Sequence, residues 1–114
     1  MQALRAMARS QAAEMSEETE LWPLRMRLIE AHPALLGRLA ASFGTAELAM
    51  AAAVARRTGT TVDADLYPML LAGVATAAMR TALHRWLATD FTASLPDLVD
   101  EAWDALAAGL PAPN

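Results

Sequence analysis

His84, one helical turn after Arg80, and His32, directly before Pro33, are the chain's two imidazoles, the groups best suited to moving protons near neutral pH. Neither has the company that catalysis needs. A nucleophilic mechanism requires Ser or Thr beside a histidine that a carboxylate orients, and no nucleophile elbow or glycine-rich oxyanion sequence is present. A capping or surface role suits His32, and a partly buried or interfacial hydrogen bond suits His84. Two isolated histidines without any cysteine do not make a zinc site. The acidic run Glu17, Glu18, Glu20 lacks calcium-loop spacing. No metal and no cofactor are implied. Arg25, Arg27 and Arg80 with a glutamate would suit a small all-helical enzyme holding an anionic substrate. The simpler use of such arginines is surface ion pairing, for instance of Arg80 or Arg85 with the acidic side of the last helix.

These groups sit on a chain of 114 residues, the size of one domain, with 55% hydrophobic residues but only 5% aromatic. Alanine supplies most of the apolar count. It is the best helix former, and no β-branched run alternates with period two, so the expected class is all-α. Net charge is −4, and every basic residue is arginine, nowhere clustered enough to neutralise several phosphates. Direct nucleic-acid binding by this chain is therefore not expected. Lack of cysteine excludes disulfides and fits a cytoplasmic location. No uninterrupted apolar run approaches the ~20 residues that cross a bilayer, so no membrane is implied.

Five helices are expected, over residues 1–13, 20–31, 33–58, 64–89 and 95–109, within a single domain 1–114. The first carries Arg5 and Arg9 at i, i+4 opposite Leu4, Met7 and Ala8. Thr19 is the expected cap of the second. His32 and Pro33 divide the second from the third, and the third is expected to run unbroken past Gly44 to Gly59, although a kink at Gly44 is the alternative. Asp63 or Asp65 is the expected cap of the fourth, whose apolar stripe reads Leu66, Met69, Leu70, Gly73, Val74, Ala77, Thr81, His84, Leu87. Ala75, Ala78 and Ala82 make its other side nearly as smooth, so it must be covered on more than one side. Ser94 caps the fifth, on which Leu95, Leu98, Val99, Ala102, Trp103, Leu106 and Leu110 alternate with Asp97, Asp100, Glu101 and Asp104. The last two helices carry more apolar surface than a small monomer can hide.

The succession LRMRLIEAHPALLGRL, ARRTGT, MRTALHRWLATD and LPDLVDEAWDALAAGL resembles the C-terminal domain of TetR-family transcriptional regulators, and in particular mycofactocin-regulator-like members. The resemblance spans nearly the whole chain. It implies a five-helix domain whose last two helices form a four-helix bundle with a second subunit, giving a homodimer in which Leu83, Trp86, Leu87, Leu98, Ala102, Trp103 and Leu106 meet the partner. It also implies a pocket between the first four helices for a small hydrophobic effector, lined by Trp22, Met26, Phe43, Met50, Met69, Leu70, Gly73 and Val74. Methionines and small side chains suit an adaptable apolar cavity. A complete regulator also carries an N-terminal helix-turn-helix unit, for which this sequence has no counterpart.

The expected function is thus ligand sensing and dimerisation within a TetR-like transcriptional repressor, lacking its DNA-binding unit in this chain and without catalytic activity. The alternatives are an all-helical protein–protein interaction module and, further off, the small all-α enzyme.

Overall fold

Pro33 and Gly59 bracket the longest element of the protein, seen in a computed structural model that describes residues 2–113. The helices are α1 (Gln2–Glu17), α2 (Trp22–Ala31), α3 (Pro33–Thr58), α4 (Leu66–Ala88) and α5 (Leu95–Ala107), with no strand among the described residues. The chain is all-α. It divides into two compact units, one of residues 1–19 and 77–114 and the other of residues 20–76, so that α4 contributes a half to each.

In the second unit, His32 is extended (φ −132°, ψ 90°), as the residue before a proline must be, and its N–H closes α2 on Leu28 and Ile29. Pro33 then opens α3 where its missing N–H costs nothing. The helix continues through Gly44, with the Thr45 hydroxyl donating back to the Ala41 carbonyl at 3.1 Å. It ends at Gly59, whose φ of 67° glycine adopts freely, while Thr60 N–H donates to Ala55 O. Only Ala51, Val54 and Ala55 of α3 are buried, and no residue of α2 is.

Two expected caps are differently employed. Thr19 does not cap α2, because its hydroxyl donates back to Ser16 O at the end of α1, and α2 begins behind Leu21 without a side-chain cap. Asp65 precedes α4, but its carboxylate accepts from Thr61 N–H at 2.8 Å while its own N–H returns to Thr61 O, closing the loop instead of turning to the helix. α1 runs past residue 13 to Glu17, with the Ser16 hydroxyl on Ala12 O. Its expected start at Met1 lies outside the described residues.

The buried stripe of α4 also departs from expectation. Pro68, Leu71, Ala72 and Ala75 are buried in the second unit, and Ala78, Met79, Ala82 and Trp86 in the first. This is the alanine side. Leu66, Leu70, His84 and Leu87 of the expected stripe are exposed. Alanine lets neighbouring backbones come close, so between two faces of similar hydropathy packing selected the smoother one. By length and composition α4, 23 residues long with a mean hydropathy of 1.3 over an 18-residue window, would suffice to cross a membrane, a test that core helices of water-soluble proteins also pass.

In the first unit α1 packs on α5. The core here is Trp86, Leu95, Val99 and Trp103, with Ala12 of α1 fully enclosed. Between α4 and α5 the chain turns through Asp90 (φ 53°) and Phe91 (φ 63°), left-handed values that are costly for non-glycine residues. Phe91 offsets the strain by donating its N–H to Trp86 O and setting its ring edge-on to Trp86, centroids 4.9 Å apart. Ser94 caps α5, accepting from Asp97 N–H at 3.4 Å. Gly109 (φ 82°) ends it with a pair of return bonds, Gly109 N–H to Leu106 O and Leu110 N–H to Ala105 O.

Candidate functional site: an interhelical groove and an apolar helix pair

One flank of α5 is neutralised inside the chain. Asp97, Asp100 and Asp104 lie within 60° of one another on the helix, given 100° per residue. Arg5 of α1 reaches Asp100 (3.3 Å) and Asp104 (2.8 Å), and Arg9 reaches Asp97 (3.6 Å), Asp100 and the Pro96 carbonyl. Hydrogen bonding to Asp104, and then the charges of Asp104 and Asp100, hold the Arg5 guanidinium above its ordinary pKa despite some desolvation. The acidic side of α5 is therefore met by α1, not by Arg80 or Arg85. The signal was present in the matching i, i+4 steps Arg5/Arg9 and Asp100/Asp104, which become legible once the two helices are known to be neighbours.

The opposite flank of α5 borders a groove of about 490 Å³ shared with the C-terminal half of α4. Thr81, Ala82, Arg85 and Thr89 form the α4 wall, and Leu98, Glu101, Ala102 and Ala105 the α5 wall. Its lining is mostly small. Of the seven residues expected at a subunit contact, Leu98 and Ala102 line this groove. Leu83 and Leu87 lie about 145–175° around α4 from the groove's centre line, counting 100° per residue. Trp86 and Trp103 are each 2% exposed within the chain, so their rings fill the protomer's own core. Leu106 is half-buried beside them. The Trp103 indole N–H has no acceptor among the described residues.

All eight residues expected to line an effector pocket fall in the second unit. Trp22, Met26, Phe43, Met50, Met69, Gly73 and Val74 are half-buried, while Leu70 is 62% exposed. Met69 and Leu70 share an open depression with Val62, Asp63 and Leu66 at the start of α4. Arg25 holds its guanidinium over the Trp22 ring, 5.2 Å from the centroid. Glu47 approaches Gly73, its Oε1 lying 3.5 Å from where a Cβ would stand. Beyond these, Leu21 ahead of α2, Leu24 and Leu28 of α2, and Leu36 and Leu48 of α3 stand about half exposed, a feature that the sequence pattern did not single out. α2 and α3 pack on each other.

His32 and His84 are both exposed, as are Arg25, Arg27 and Arg80. Among the described residues no three His, Asp or Glu side chains gather closely enough to hold a metal ion.

Comparison with known proteins gives one family. The family model described as MftR C-terminal domain, one of the TetR C-terminal types, matches residues 1–111. No curated protein and no solved structure matches. With five helices in this order and a match running over nearly the full length, the chain belongs to the family of MftR-type C-terminal domains of TetR-family transcriptional regulators.

Proposed function

We propose that the unit formed by residues 20–76 senses a small hydrophobic effector, and that the groove between α4 and α5 is the seam of a homodimer, within a cytoplasmic TetR-type repressor. The family supports an effector-binding and dimerisation domain in general, of a type that is in general non-enzymatic. The observation that carries the sensing half is the thin packing of α2 and α3. No residue of α2 is buried, and five leucines stand about half exposed along the pair and at its start. An apolar wall with few buried contacts opens at little cost and closes around an apolar ligand, which is the property an adaptable sensor needs. Its mechanism is a population shift. Effector bound among α2, α3 and the start of α4 favours one placement of α2, and in an intact regulator that placement sets the spacing of the two DNA-reading helices across the dimer.

The test is a thermal-shift screen with hydrophobic compounds. A ligand at 100 times its Kd adds about 2.7 kcal/mol, which raises the Tm of a domain of this size by roughly 10 °C. Replacing Leu24 and Leu28 by Ser should leave the unliganded Tm nearly unchanged, because both are exposed, and abolish the shift. The same leucines favour a second reading, a module that docks a protein partner. A screen without a single shift, alongside a helical partner whose binding L24S/L28S removes, would replace the sensor with that module.

A further inference from the structure

The groove between α4 and α5 carries one charge of each sign. Arg85 stands on its α4 wall and Glu101 on its α5 wall, among alanines and threonines. Both are exposed, and among the described residues neither takes part in an ion pair. Glu101 differs in this from the other three carboxylates of α5, all of which are held by Arg5 or Arg9. A surface that covers this groove must therefore bring a carboxylate for Arg85 and a cation for Glu101, since a desolvated charge left unpaired is strongly disfavoured. A second copy of the chain brings both. In a two-fold dimer the same patch faces itself, so a contact from position 85 to position 101 of the partner occurs twice.

We infer that Arg85 and Glu101 are the specificity pair of the homodimer, each Arg85 meeting Glu101 of the partner subunit, and that this reciprocal pairing selects self over related chains. The inference rests on the groove being the dimer seam. The small side chains around the pair bring the helices close but discriminate poorly, because alanine faces fit one another in many registers. One cation and one anion, placed on different helices, fix a register. Like charges brought together at either position oppose association.

The test uses charge reversal with mixing, read by analytical ultracentrifugation at moderate salt. R85E alone would confront Glu101 of its own kind, and E101R alone would set cation against cation, so each should weaken self-association by roughly tenfold or more. Both positions are exposed, so each variant should keep the wild-type circular dichroism spectrum. Mixed in equal amounts, R85E and E101R make two attractive contacts and should form a heterodimer of wild-type strength, and R85E/E101R in one chain should restore the homodimer. Single variants that dimerise like wild type, or that fail to pair when mixed, overturn the specificity pair while leaving the seam in place. Rescue only by the double reversal within one chain means that the two groups pair inside the protomer, which also overturns it. A wild-type chain that stays monomeric up to high concentration overturns the dimer itself.

Discussion

Replacing Trp103 by Ala separates two places for the same ring, the core of the protomer and the contact between subunits. Within the chain Trp103 is 2% exposed and lies with Trp86, Leu95 and Val99 in the core. An indole of this kind withdraws up to about 250 Å² from water. At about 25 cal/mol per Å² this is worth about 6 kcal/mol, an upper bound because the denatured chain is itself partly collapsed. The buried N–H without an acceptor offsets about 1–3 kcal/mol of it. Trp103→Ala should then cost about 3–5 kcal/mol, the range found for large core residues cut to alanine. That approaches the whole stability of many domains, about 5–15 kcal/mol. Trp103→Phe keeps an aromatic ring and deletes the orphan donor, so it should cost under about 2 kcal/mol. The assay is urea unfolding followed by far-UV circular dichroism at two protein concentrations. A core residue gives a loss that does not depend on concentration, whereas a subunit contact gives one that vanishes where the chain is monomeric and grows as the wild-type dimer is driven together. A loss below about 1 kcal/mol, or one that disappears at the lower concentration, would refute the core placement and return the ring to the interface.

Two further outcomes follow from local geometry. Gly59→Ala puts a Cβ on a residue with φ of 67°, where it meets no neighbouring atom but carries the full left-handed penalty, so it should lower stability by about 1 kcal/mol, measured by urea unfolding. Raising the salt from about 0.1 to 1 M shortens the screening length from about 10 to 3 Å, and the Arg5 and Arg9 pairs with α5 are partly exposed. Amide exchange in α1 should therefore speed up while the amides around Val99 and Trp103 keep their protection, and equal exchange at both salts would show that apolar contact alone holds α1.

The parts of this fold legible in the sequence are those fixed by one or two residues. Pro33 and Gly59 bound α3 and Gly109 ends α5 through backbone states that few other residues adopt, and Ser94 opens α5 because its hydroxyl accepts from the Asp97 N–H. Choices among nearly equal options were not legible. On α4 the faces led by Leu70 and by Ala75 differ little in hydropathy, and which one is buried depends on how closely the neighbours can approach. Thr19, Asp63 and Asp65 are all competent caps, yet Thr19 bonds to Ser16 and Asp65 to Thr61, because a short side chain takes whichever backbone group the loop brings nearest. The same ambiguity applies to the expected subunit contact. Helical spacing puts Trp86 and Trp103 on the apolar sides of their helices, but it does not say whether those sides face the chain's own core or a partner.

That distinction governs how a seam between copies would work. A contact anchored by two tryptophans draws its energy from a few large pockets and tolerates variation around them. With the rings enclosed in the chain, the α4–α5 groove offers Leu98 among Thr81, Ala82, Ala102 and Ala105, small side chains whose burial yields little per residue. Such a face gains affinity only by covering a long stretch of both helices at close range, and any bulky or mismatched charged side chain within it disrupts the whole contact. Related chains that differ at a handful of positions would therefore be rejected sharply by a small-residue seam carrying one Arg and one Glu, and only weakly by a tryptophan-anchored one. On this ground the enclosure of Trp86 and Trp103 strengthens the case for Arg85 and Glu101 as the groups that choose the partner. The rings hold α5 in place from within the chain, and in the proposed dimer the charges in the groove would decide which second copy it receives.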